Sequence, residues 1–180
     1  MCKSLTVVFA LFISLVYASA QDIEWHADKL VKEKMCTMCH SKDKVGDQVG
    51  KWKEGPHAKA FESLKTDKAK EVAAKMGIDD PTTAGQCLKC HSTAYGFTET
   101  VQTKMVDVED GVTCQTCHGP GKDYIRVHSK DAEKAHKELG LIKPNAQNTC
   151  LKCHNENNPT HTEDFDFDKA WEKIQHNLKK

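Results

Sequence analysis

Four copies of one five-residue pattern constrain this chain more than anything else in it. They are Cys36-Thr37-Met38-Cys39-His40, Cys87-Leu88-Lys89-Cys90-His91, Cys114-Gln115-Thr116-Cys117-His118 and Cys150-Leu151-Lys152-Cys153-His154. Of nine cysteines only Cys2 falls outside them. A disulfide framework would use an even set of cysteines but has no need of a histidine after every second one. Zinc sites built on such pairs borrow a distant second pair and again do not require the fixed histidine. A thioredoxin-like redox motif occurs once, among alternating strands and helices. C-x-x-C-H is the attachment signature of c-type haem: two thiols three positions apart reach the vinyl groups, and the next residue becomes the proximal iron ligand. Four such motifs predict four covalent haems, held by Cys36, Cys39, Cys87, Cys90, Cys114, Cys117, Cys150 and Cys153. Their proximal iron ligands are His40, His91, His118 and His154.

The amino terminus agrees with that chemistry, because c-type attachment is completed outside the cytoplasm. Lys3 precedes an apolar run from Leu5 to Val16, followed by Ala18-Ser19-Ala20. This reads as a cleaved secretory signal over residues 1–20, too short and wrongly flanked for a membrane span. A single domain over residues 21–180 is expected, in the periplasm or outside the cell, with no membrane span after cleavage. Without Lys3 the chain has 25 basic against 26 acidic residues, so no basic surface argues for nucleic acid. Large aliphatic side chains are sparse, and protein side chains alone would struggle to offset the entropy of folding. Haem at one group per 40 residues would supply the missing interior and make the haems neighbours. The expected fold is mainly α, with helices and loops wrapped around four closely packed haems and little or no sheet.

Six histidines remain as candidates for the sixth iron position. His57 heads a helical pattern that runs through Ala60, Phe61, Leu64 and Val72 to Met76, with Pro56 at its start and Gly77 at its stop. His128 shares a stripe with Tyr124, Ile125, Ala132, Ala135 and Leu139, which Gly140 would end. His57 and His128 are therefore the distal candidates. His136 lies at the edge of the second stripe. His176 falls among Lys169, Lys173 and Lys180, opposite the stripe of Trp171, Ile174 and Leu178, which favours a solvated ring. His161 lies in a polar turn, and His26 is N-terminal. Met35, Met38, Met76 and Met105 read as packing residues.

Trp52-Lys53, the block from His57 to Lys65, and the third motif with its Gly119-Pro120-Gly121 tail and a histidine ten residues after His118 carry a further signal. In these residues the chain resembles the tetrahaem cytochrome c-554 family of nitrifying bacteria, from about Met35 through the fourth motif and again at Asp164-Phe165-Asp166-Phe167. The resemblance implies His128 as distal ligand of the haem on His40 and His57 as that of the haem on His118. It also implies an open sixth position at His91. Where the family has a histidine before the fourth motif, this chain has Lys143-Pro144-Asn145-Ala146-Gln147-Asn148-Thr149. His136, then His176, then a histidine from a second copy of the chain are the alternatives for the haem on His154. The expected function is electron transfer between a redox-protein donor and acceptor. The rival is an enzyme that reduces nitric oxide or a related nitrogen oxide at an open haem, and self-association into a conducting filament is a third reading.

Overall fold

The computed structural model describes residues 26–99, 104–160 and 165–178. The predicted signal segment, the turn at His161 and Asp164 lie outside the described residues. Nine α-helices occur among those described: α1 Lys34–His40, α2 Gln48–Glu54, α3 Ala60–Ser63, α4 Asp67–Lys75, α5 Gly85–His91, α6 Thr93–Thr98, α7 Cys114–His118, α8 Ala132–Glu138 and α9 Phe167–Ile174. Short 3-10 turns join several of them, and no strand is present among the described residues. None of these helices is long and apolar enough to cross a membrane.

The helices are short for local reasons. The continuous helix expected from His57 to Met76 is broken into a 3-10 turn at His57–Lys59, α3 and α4. Thr66 accounts for the break: it is extended, and its hydroxyl accepts from the Ala69 amide, capping α4 instead of continuing α3. Gly77, at φ 70°, stops α4 as expected. The stripe from Tyr124 to Leu139 is likewise interrupted. Residues 121–130 form successive turns, and α8 starts only after Asp131, whose carboxylate accepts from the Lys134 amide. At the far end α9 finishes at Ile174, so helical periodicity does not govern where His176 points.

Protein side chains bury little. One apolar cluster consists of Leu30, Ala94, Phe97 and Val106, and a second of Phe61, Leu64 and Leu88. Val108 packs against both. Buried polar ties do much of the joining. Gln115, fully buried, accepts from the Val31 and Gly121 amides and donates to the Val31 carbonyl, which fastens the N-terminal segment to α7. The Trp52 indole donates to the Val112 carbonyl at 2.9 Å, and the Val112 amide donates to the His57 carbonyl at 3.1 Å. These two bonds fix α2, His57 and the approach to α7 relative to one another. The Gly119 turn is equally constrained: at φ 80°, a Cβ there would lie 2.6 Å from the Gly140 carbonyl oxygen.

Thr93 links α6 to the strand-like approach to the third motif. Its hydroxyl accepts from the Thr113 amide at 2.7 Å and lies 3.1 Å from the Gly111 carbonyl and 2.6 Å from the Thr116 hydroxyl. Replacing Thr93 with valine keeps the shape and leaves a buried amide without its acceptor. We expect a loss of about 2 kcal/mol, read as a lower urea midpoint at unchanged slope.

Candidate haem-binding site

Three of the four motifs sit at the C-terminal ends of helices, in α1, α5 and α7, each of which ends at the motif histidine. In a helix, residues i, i+3 and i+4 share one face. Both cysteines and the histidine of each motif therefore project together. The fourth motif opens with a 3-10 turn, Cys150–Lys152, and reaches His154 just beyond it. None of the eight motif cysteines is joined to another in a disulfide.

Cysteines of different motifs approach one another in a definite order. The Cys36 and Cys114 sulfurs and a Glu33 carboxylate oxygen all lie within 4.8 Å of one another, joining motifs one and three. Cys117 and Cys150 are electrostatic neighbours, joining motifs three and four, and burial pushes the Cys117 thiol up to about 11. The Cys90 and Cys153 thiols are hydrogen-bonded, joining motifs four and two. The four motifs thus form a row in the order one, three, four, two.

Three motif histidines each face one further histidine ring. Ring centroids are 6.0 Å apart for His40 and His128, 6.0 Å for His118 and His176, and 6.2 Å for His57 and His154. Two metal–imidazole bonds of about 2 Å, plus a ring radius of about 1 Å at each end, require about this separation. The angle between the rings, 21°, 61° and 75° in the three pairs, is free to vary because both rings turn about a common axis. Direct stacking looks different: Phe165 lies on His154 at 4.5 Å and 11°.

The other ring nitrogen is committed in most of these histidines. Nδ1 lies 3.3 Å from the Ile142 carbonyl in His118, 3.2 Å from that of Tyr124 in His128, and 3.0 Å from that of Ile174 in His176. A carbonyl only accepts, so Nδ1 carries the hydrogen and Nε2 keeps its lone pair for a metal. In His40 the acceptor is the Gln48 amide oxygen at 3.2 Å. Burial also holds His57 below the usual histidine range and lowers His118 to about 4, so both rings are neutral, as ligands must be.

These residues fit haem c. Its covalent attachment calls for the paired thiols, and its iron calls for neutral imidazoles held through their second nitrogen. Buried hydroxyls of Ser92 and Thr113 have no hydrogen-bond partner within the protein, and both residues flank the motifs. Ser92 also lines a cavity with Cys90, Thr116 and Cys153. Buried polar groups are ordinarily partnered, so these mark surfaces that a bound group completes.

The arrangement departs from the expected pairing in two places. His57, implied for the haem on His118, faces His154, and His176, exposed as expected, faces His118 and not His154. His128 faces His40, the pairing the resemblance implied. His136 donates from Nδ1 to the Leu141 carbonyl at 2.7 Å and lines a surface cavity with Ala132, Glu133, Lys137 and Lys143, none of them a motif residue. His91 donates from Nδ1 to the Ala60 carbonyl at 2.7 Å, with the Ser63 hydroxyl 3.2 Å away. No second histidine ring faces His91 among the described residues. Gln48, Glu33 and Ser63 were not singled out in the sequence, where nothing separates them from ordinary polar helix residues.

Residues 35–119 match the family described as cytochrome c554 and c-prime. The chain is also 35% identical over 107 residues to cytochrome c-554 of Nitrosomonas europaea, a match that covers 56% of this chain and 42% of that protein. No solved structure matches the chain.

Proposed function

We propose that this chain, whose residues 35–119 match the family described as cytochrome c554 and c-prime, is a member of that family and an exported electron carrier working between redox-protein partners. A cytochrome c of this family implies covalently bound haem c with its iron, and we assign four haems, one to each motif. Bound haem c supplies reversible one-electron chemistry. The observation that carries the reading is the order in which the motif thiols neighbour one another, Cys36 beside Cys114, Cys117 within electrostatic reach of Cys150, and Cys153 beside Cys90. A row with two distinct ends suits a conduit that accepts at one end and delivers at the other.

Within the row the protein's own residues do three things. The paired cysteines would anchor each group, and His40, His91, His118 and His154 would hold its iron. His128, His176 and His57 would supply a second imidazole at the His40, His118 and His154 sites. The carbonyls of Ile142, Tyr124 and Ile174 orient His118, His128 and His176 and make them stronger donors, which favours low potentials. The compartment is the periplasm or the cell exterior, as the predicted signal requires.

A second reading is favoured by His91, which faces no second ring among the described residues. There a small nitrogen oxide could bind and be reduced, with Ala60 and Ser63 holding His91 in place. One experiment addresses both readings. We expect a haem content of four by pyridine haemochrome assay, and an EPR spectrum with three low-spin sites and one high-spin site. Rapid reduction by a small donor in stopped flow supports the carrier, whereas no haem reduction on a physiological timescale removes it. Four low-spin sites would remove the catalytic reading.

A further inference from the structure

We propose that Gln48 is a positioning residue that sets the ligands of two neighbouring sites at once, the proximal histidine of the His40 site and the distal histidine of the His118 site; this rests on the ligand assignment above. Gln48 is buried at the start of α2 and makes three hydrogen bonds. Its amide nitrogen donates to the Val45 carbonyl at 2.6 Å and to the Asn177 carbonyl at 3.0 Å. Both protons are thereby used on acceptors, which fixes the amide orientation and turns Oε1 toward His40 Nδ1 at 3.2 Å. Asn177 directly follows His176, so one side chain holds the His40 ring and also the strap that carries His176.

The backbone before Gln48 is shaped for this. Gly46 and Asp47 both have positive φ, 113° and 44°, and the second is unfavourable for a residue with a side chain. The Asp47 carboxylate offsets the strain by accepting from the Gly50 amide at 3.1 Å, which starts α2 and pins Gln48. His176 has little else to place it, since it is exposed and lies beyond the end of α9. Beyond the Gln175 amide's bond to the Trp171 carbonyl, which closes α9, its Nδ1 bond to Ile174 and the Gln48 contact at Asn177 tie that segment down.

The test uses the haem-loaded full chain, EPR for spin state and spectroelectrochemistry for potentials, with sites assigned by the low-spin signal lost in His128→Ala and in His176→Ala. His176→Ala must itself convert one low-spin site to high-spin; if it does not, the ligand assignment fails before Gln48 is tested. Given that conversion, Gln48→Leu removes the acceptor from His40, so the potential of that site should rise. It also releases Asn177, so a high-spin signal like that of His176→Ala should appear. Gln48→Glu keeps an acceptor, now charged, and loses both donors. The His40 site should then shift downward while the same high-spin signal appears. Opposite shifts at one site with a shared change at the other would not come from general loosening of the fold. If both variants move the His40 site the same way, or neither gives the high-spin signal, the inference is overturned. Should Gln48→Leu fail to load haem, Gln48→Glu alone decides: a downward shift with the new high-spin signal supports the inference, and an unchanged spectrum overturns it.

Discussion

Replacing all eight motif cysteines with alanine is expected to leave a chain with almost none of its helical far-UV signal and no cooperative melt. The α-helices among the described residues run from four to nine residues, from α3 at the short end to α4 at the long end. Isolated helices shorter than about 12–15 residues are marginal in water even in favourable sequences, so these depend on packing. Among the described residues the apolar packing is two small clusters that meet at Val108, with Val49, Val112, Tyr124, Ala135 and Ile142 buried outside them. Against that stands an ordering cost of about 1–2 kcal/mol per residue for the backbone. The exposed ion pairs do not close the difference: Lys29 with Asp123, Lys70 with Asp67 and Lys137 with Glu133 are all on the surface, where solvent screening leaves such pairs little net effect. A bound porphyrin at each motif would bring apolar surface to the places where α1, α5 and α7 end. Circular dichroism of the alanine variant, together with its rate of proteolysis, measures this directly. A native-like spectrum with a sharp transition would show that the protein core suffices and that the low apolar content was misread.

The short helices also explain what could and could not be read from the residues. The helical class, with little or no sheet, was legible because the four motifs and the stops at Gly77 and Gly140 are local signals. The continuity of the helix from His57 was not, because its stripe of Phe61, Leu64 and Val72 is compatible with one helix or with two, and only the Thr66 cap decides. His176 is exposed as expected, but periodicity was the wrong ground for that expectation. It treated residues beyond Ile174 as helix, whereas the chain turns out of α9 and brings the ring to His118. Which histidine meets which motif is a tertiary matter. His57 is tied through its backbone to Val112, next to the third motif, yet its ring faces the fourth. No pattern in the sequence separates those two outcomes, and the order of the motifs in space is hidden for the same reason.

His57→Met separates them by experiment and is expected to have the largest effect on redox behaviour. Replacing an imidazole by a thioether at an axial position raises the potential, and axial ligands as a whole tune haem over about 0.8 V. A rise on the order of 0.1 V at one site is therefore a modest expectation. At about 59 mV per tenfold for one electron, a rise of about 0.12 V favours the reduced form there by about 100-fold. In the proposed row the fourth motif lies between the third and the second, so the altered site would hold an electron that should pass on. Transfer from one end of the row to the other would slow, while reduction of the variant by a small donor would remain fast. The site that moves is the informative part. A rise at the His154 site agrees with the ring pairing at 6.2 Å. A rise at the His118 site would instead restore the pairing implied by the family resemblance and would remove His176 from the ligand set. Lys70→Ala serves as the control: it is exposed on α4 and pairs only with Asp67 one turn back, so all potentials should stay where they are.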